Sequence, residues 1–135
     1  MEKPPFKIDF LDHVAIRVAD LEVSAAWYQE VLGLERYDVP EWGAFPIFLL
    51  AGTSGVALFP RDREGNLQPP GIRIDHFAFQ VGPDAFDAAV AHYRGLGLDF
   101  SVQDHIHFRS LYTQDPDGHT VELTALQVPP EQFYR

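Results

Sequence analysis

With 135 residues, 46% of them hydrophobic and 22% charged, the chain has the composition of one soluble globular domain large enough to bury its own core. Cysteine is absent, which excludes thiol nucleophiles, thiolate metal sites and disulfides, so any metal has to be held by His, Asp or Glu. A net charge of -10 disfavours nucleic acid and membranes as partners, and the opening MEKPPFKIDF has no apolar run of signal-peptide length, so a cytoplasmic location is expected.

From Phe10 to Val18 apolar and polar positions alternate, predicting a strand with Val14, Ile16 and Val18 on one face and His13, Ala15 and Arg17 toward the other. Asp20 suits the N-cap of a helix over Leu21–Leu32, with Ala25, Tyr28 and Leu32 as its apolar stripe and Gly33 as a left-handed cap. Strand-like runs come next at about Leu34–Val39, Phe45–Ala51 and Gly55–Phe59, the last two joined by the turn Gly52-Thr53-Ser54. Residues 60–72, rich in proline, glycine and charge, read as a connector.

The order then repeats. Ile74–Val81 is a predicted strand with Phe77, Phe79 and Val81 facing one way and His76, Ala78 and Gln80 the other. Pro83–Arg94 is a predicted helix with proline in its first turn and a stripe of Phe86, Ala89 and Tyr93, closed by Gly95-Leu96-Gly97-Leu98. Strands are expected near Leu98–Val102 and His107–Thr113, and the turn Asp115–Gly118 leads into a last strand in HTVELTAL. The tail from Val128 reads as a surface extension.

The stretch LDHVAIRV, Leu11–Val18, returns as IDHFAFQV, Ile74–Val81, with half of the eight positions identical. The chain is therefore expected to be one α+β domain, residues 1–135, made of two β-α-β-β-β units at about 10–60 and 73–126. Their strands should form a curved, partly open mixed sheet around a cleft, with His13 matched to His76, Ala15 to Ala78 and Arg17 to Gln80. Each histidine lies on the polar face of an apolar strand, with alanine two residues on leaving room beside it. Glu122, within TVELTAL, points to the same side, and a carboxylate is costly to bury there unless it is paired or bound to a cation. Two imidazoles and one carboxylate form the facial three-ligand set that suits Fe(II) and is compatible with Mn(II), Ni(II) or Zn(II), leaving half the coordination sphere open. The structural alternative is a metal-free His-His-Glu hydrogen-bond cluster. Arg17 can clamp a substrate carboxylate or pair with a protein acid at the cleft rim. Trp42, Phe45, Phe48 and Phe59 can line an aromatic pocket or serve as core and interface residues, whereas His92 and His119 point away from the cleft.

DHVAIRVADLEVSAAWYQEVLGLE, IDHFAFQV and YTQDPDGHTVELTAL together resemble the vicinal oxygen chelate superfamily, which includes glyoxalase I, bleomycin-resistance and fosfomycin-resistance proteins and extradiol dioxygenases. The resemblance runs from Phe10 to about Leu126. It implies metal ligands at His13, His76 and Glu122, and a fourth ligand position near Ala57, where no ligating side chain stands. Four-ligand isomerase chemistry is thereby disfavoured. The resemblance further implies that Tyr112 lies beside the bound substrate, where it donates to a bound oxygen or fills the cleft, with His107 or His105 as an acid-base histidine; strand parity makes Arg17, Gln80 and Ser110 candidate substrate contacts. The stretch SVQDHIHFRSL matches poorly the basic, hydroxyl-rich segment of the fosfomycin branch. Likeness to this superfamily implies a homodimer, in some branches with His13 completing the partner's site. It also implies a divalent cation, Fe(II) favoured, and an extradiol-dioxygenase-like reaction on a small molecule. The alternatives are a fosfomycin-type thiol transferase or other lyase, and a non-catalytic drug-sequestering protein, whose cationic ligands the acidic charge would suit.

Overall fold

The structure is a computed structural model describing residues 2–62, 71 and 73–134, so the predicted connector lies largely outside the described residues. The chain divides into two compact units, residues 1–63 and 64–135. The first contains β1 (His13–Val18), α1 (Leu21–Leu32), β2 (Glu35–Asp38), a 3-10 turn at Pro40–Trp42, β3 (Ile47–Ala51) and β4 (Ser54–Pro60). Its sheet has the order β1-β4-β3-β2, with β1 parallel to β4 and the other pairs antiparallel. The second contains β5 (His76–Gln80), α2 (Pro83–Gly95), β6 (Ser101–Asp104), β7 (Phe108–Gln114), β8 (Thr120–Leu126) and a short α3 (Pro130–Phe133). Its sheet order, β5-β8-β7-β6, repeats the first, including the parallel pairing of its first and last strands. Both sheets are four-stranded, mixed and open, and the fold class is α+β.

In each unit the apolar face of the sheet packs on the helix. Asp20 caps α1 by accepting from the backbone N–H groups of Glu22 and Val23 at 3.0 and 3.1 Å, and Gly33 closes the helix at φ 67°. Its buried face is Ser24, Ala25, Tyr28 and Val31, packed on β3 and β4, while Leu32 is only half-buried. The stripe is thus turned by one position, because Val31 rather than Leu32 continues the three-and-four spacing from Ser24 and Tyr28. Arg36 of β2 ties the sheet to α1 through a two-point contact with Glu22 at 2.6 and 2.9 Å, and its side chain also bonds Asp38. These hydrogen bonds hold both carboxyls below their usual range, so this tie is present at neutral pH and is lost as acid protonates them.

Several element boundaries differ from the alternation in the sequence; β3 begins at Ile47 rather than Phe45 and β5 at His76 rather than Ile74. β1 begins at His13, paired with Gly55; ahead of it the Asp12 carbonyl accepts from Gly55 N at 3.1 Å and the Leu11 carbonyl from Ser54 Oγ at 2.9 Å, so the chain runs on beside β4 without a further ladder pair. β6 begins at Ser101 because the Leu98 N–H is already given to the Tyr93 carbonyl at 3.1 Å in the helix-ending turn through Gly97, at φ 72°. The tail also departs from a simple surface extension: it forms α3, and its Phe133 ring meets Phe108 at 5.4 Å.

The core of the second unit is built from Phe86 and Tyr93 of α2 against Leu111, Val121, Leu123 and Ala125. The Tyr93 hydroxyl is buried and has no hydrogen-bond partner among the described residues, and burial pushes its pKa up to about 12. An unpaired buried hydroxyl pays a desolvation cost that a phenyl ring does not. Tyr93→Phe is therefore expected to raise the unfolding free energy in urea by about 1 kcal/mol. A loss of stability of that size would show that the hydroxyl has a partner.

Candidate metal centre

β8 runs between β5 and β7, so a residue on its polar face meets side chains from both neighbours. Glu122 stands opposite Ala78 on one side and Tyr112 on the other, while Ser110 pairs with Thr124. Strand alternation puts His76, Ala78, Gln80, Ser110, Tyr112 and Glu122 on one face and leaves Val121, Leu123 and Leu111 for the helix side. The Glu122 side chain is 5% exposed and the Ser110 side chain is buried. Ser110 Oγ donates a hydrogen bond to Glu122 Oε2, and His76 Nε2 lies 3.1 Å from Oε1.

The other ring nitrogen, His76 Nδ1, is 2.7 Å from the Asp75 carboxylate. A carboxylate accepts only, so Nδ1 is the donor to Asp75, and Nε2 faces Glu122 either as a second donor or as a lone pair that a cation can take up. Two acceptors at this separation are a favourable arrangement only with a proton or a cation between them. A buried carboxylate and an imidazole nitrogen that a second carboxylate orients are donor types that suit a divalent cation, and these residues fit two of its ligand positions.

The first unit carries the same dyad. His13 Nδ1 lies 2.8 Å from Asp12 Oδ2, with the histidine side chain 38% exposed. The strand registers are also the same: Ala15 is paired with Ala57 as Ala78 is paired with Glu122. Ala57 therefore holds the place that Glu122 fills in the other unit, and it is fully buried. Opposite Ala57 stands Phe48, as Tyr112 stands opposite Glu122. Each of these rings presents an edge-on contact to its unit's histidine, Phe48 to His13 at 5.2 Å and Tyr112 to His76 at 6.0 Å. Trp42 leans on Phe48 at 5.8 Å, Phe45 meets Phe59 at 6.1 Å, and Arg17 donates to the Arg61 carbonyl at 3.3 Å.

Of the candidate residues, the second unit thus brings together His76, Glu122, Ser110 and Tyr112, while His13 and Arg17 stand on the first unit with partners of their own. Among the described residues, no group of three or more His, Asp or Glu that could hold a metal ion is assembled. Gln80 donates to the hydroxyl of Tyr134 at 3.1 Å.

The two histidines between β6 and β7 take different places. His105 Nε2 is 3.1 Å from the Tyr112 hydroxyl, with the two rings perpendicular. His107 is exposed and lies against Phe133 at 5.9 Å. In a regular strand residues two apart share a face, but here Ile106 between them has φ 73°, a left-handed conformation that is costly for a β-branched side chain. The turn is secured by Asp104, whose Oδ1 accepts from Ile106 N at 2.8 Å and from Gln127 Nε2 at 2.9 Å; these bonds hold the Asp104 carboxyl below its usual range. The carboxylates of Asp12 and Asp75 carry no role in the sequence reading, although the repeated Asp-His pair is the signal that marks them, whereas the contribution of Phe133 and Tyr134 has no local signal.

Removing the Ser110 hydroxyl would leave Glu122 Oε2 buried without its donor. Ser110→Ala is expected to lower the stability of the metal-free protein by about 1.5 to 3 kcal/mol, measured by urea unfolding. A change within experimental error would mean that the hydroxyl does not hold the carboxylate.

Residues 10–123 match the family model described as Glyoxalase/Bleomycin resistance protein/Dioxygenase superfamily. The chain is 29% identical over 113 residues to the glutathione transferase FosA of Serratia marcescens, a match spanning 84% of this chain and 78% of that protein. It is 32% identical over 120 residues to the protein YaeR of Escherichia coli strain K12, across 82% of this chain and 92% of the relative. Among solved structures, a glyoxalase/dioxygenase from Nostoc punctiforme shares the fold with a TM-score of 0.74 at 23% identity, covering 95% of this chain and 98% of that one.

Proposed function

The chain belongs to the glyoxalase/bleomycin resistance protein/dioxygenase superfamily, and from that premise we propose that it is a metal-dependent enzyme binding a small substrate through two neighbouring oxygens, with oxygenation of an aromatic diol as its reaction. The observation that carries this reading is the buried Glu122 carboxylate facing Nε2 of an imidazole that Asp75 orients through Nδ1. One divalent cation, Fe(II) ahead of Mn(II), Zn(II) or Ni(II), would be held by His76, Glu122 and His13, the last supplied by the first unit of this chain or of a second copy. When bound, such a cation polarises the chelated oxygens and, as iron, admits O2.

The chain's own groups divide the remaining work. Tyr112, hydrogen-bonded to His105, gives or takes a proton at a substrate oxygen, and the half-buried His105 passes that proton onward. The acid-base role goes to His105 rather than His107 because the turn at Ile106 sends His107 to the Phe133 side. Ser110 fixes Glu122, Ala78 leaves room beside it, and Gln80 and Arg17 supply polar contacts to substrate. Alanine at position 57, where a further carboxylate would complete a four-ligand set, supports three-ligand chemistry. Exposed Phe6, Ile8, Phe10 and Leu11, immediately before β1, support a homodimer. Nucleic acid and membranes have no part in this reading, and among the described residues no helix is long and apolar enough to cross a membrane.

A second reading, transfer of glutathione to a small electrophile such as fosfomycin, is favoured by the similarity to the glutathione transferase FosA. Non-catalytic drug binding is disfavoured by the presence of all three donors, His13, His76 and Glu122.

The test is anaerobic reconstitution with Fe(II), metal analysis, and oxygen uptake across a catechol panel, with glutathione consumption in the presence of fosfomycin measured in parallel. One metal per chain and catechol-dependent uptake are expected. His76→Ala should lose the metal, and Asp75→Asn should weaken metal affinity by about 10- to 100-fold with the fold intact. Glutathione consumption without catechol-dependent uptake would establish the transferase reading, and absence of stoichiometric metal would end the enzyme reading.

A further inference from the structure

The chain beyond β8 turns back across the face that carries Glu122. Gln127 begins the return, its N–H donating to the His107 carbonyl at 2.8 Å and its side chain to Asp104 at 2.9 Å. α3 then sets Phe133 against Phe108 at 5.4 Å and against Tyr134 at 4.9 Å. Tyr134 is held in turn by Gln80, which donates to its hydroxyl at 3.1 Å. Between this tail and the sheet lies a cavity of about 300 Å³ lined by Ala78, Gln80, Phe108, Glu122, Phe133 and Tyr134, among others.

The lining is divided in character. One part presents the buried carboxylate of Glu122, and another presents the rings of Phe108, Phe133 and Tyr134. Phe133 and Tyr134 remain 41% and 58% exposed, so each has apolar ring surface that a ligand can cover. Aromatic edges and faces arranged in this way favour a flat ring over a flexible or strongly hydrated group of similar size. We propose that the C-terminal segment is the substrate-selecting wall of the pocket, with Phe133 and Tyr134 favouring ligands that carry their chelating oxygens on an aromatic group. The Gln80–Tyr134 hydrogen bond is the latch that fixes the wall. This inference rests on the metal-centre reading, because the chelating end of the ligand is placed at Glu122.

Two hydroxamates separate the wall from the metal. Benzohydroxamate and acetohydroxamate share one oxygen-chelating head and differ in the ring. Their dissociation constants are measured by titration calorimetry on the full-length Zn(II)-loaded protein, with zinc stoichiometry and far-UV circular dichroism recorded for every variant. The expected preference for benzohydroxamate is about tenfold. Phe133→Ala should bring that preference close to unity while acetohydroxamate affinity stays the same, and Tyr134→Phe, which removes the latch and keeps the ring, should reduce it by roughly two- to fivefold. A preference unchanged in Phe133→Ala with zinc retained would overturn the proposal, as would an equal gain for both hydroxamates, which would make the tail a plug. Failure of the wild-type chain to retain zinc, or of both hydroxamates to bind the zinc-loaded protein, would instead overturn the metal-centre reading and this inference with it.

Discussion

A carboxylate buried in the middle of a sheet has to be compensated by its neighbours, and the second unit is arranged around that requirement. Glu122 lies on the strand with neighbours on both sides, flanked by Val121 and Leu123, which anchor the opposite face in the core. Its two oxygens are met by Ser110 from one neighbouring strand and His76 from the other. An isolated carboxylate at such a position would be strongly destabilising. The compensation is complete when a proton or a cation stands between His76 Nε2 and Oε1. Asp75 makes the arrangement specific, since the proton it holds on Nδ1 leaves Nε2 as the free donor atom.

The duplicated architecture shows which features belong to the fold and which to the chemistry. Both units pack a helix on the apolar face of a four-stranded sheet of the same order, and both keep an Asp-His pair at the same register. The other face has diverged. Where one unit has Glu122 and Tyr112, the other has Ala57 and Phe48, so the edge-on contact with histidine persists while the carboxylate and the phenol do not. Packing constrains the helix side of each strand, whereas the polar side is free to change with function. The consequence is a carboxylate facing histidine on the polar side of one unit and, in the other, a histidine held by Asp12 with alanine where the carboxylate would stand.

Much of this was legible in the sequence because strand alternation and helical spacing are local signals. The repeated LDHVAIRV and IDHFAFQV placed both histidines at the same point of two equivalent strands, and the isolated charge in TVELTAL singled out Glu122. What escaped was tertiary. The helix stripe of α1 shifted from Leu32 to Val31, and β6 started late because Leu98 is committed to Tyr93. The choice between His105 and His107 turns on the positive φ of Ile106, which interrupts the parity from which sequence reasoning works. The Asx-type contact from Asp104 to Ile106 is the one local hint of that turn. The docking of Phe133 and Tyr134 depends on residues far along the chain and has no periodic signature.

If a cation completes the compensation of Glu122, then His76 and Glu122 are among its donors, and the proposed third is His13. X-ray absorption spectroscopy on the Zn(II)-loaded protein can count those donors, because imidazole rings give a recognisable multiple-scattering pattern. Two imidazoles and one carboxylate are expected, with nitrogen and oxygen donors at about 2.0 to 2.2 Å, and a fall to one imidazole in His13→Ala. A single imidazole in the wild-type protein, or a spectrum unchanged by that substitution, would refute the three-donor site.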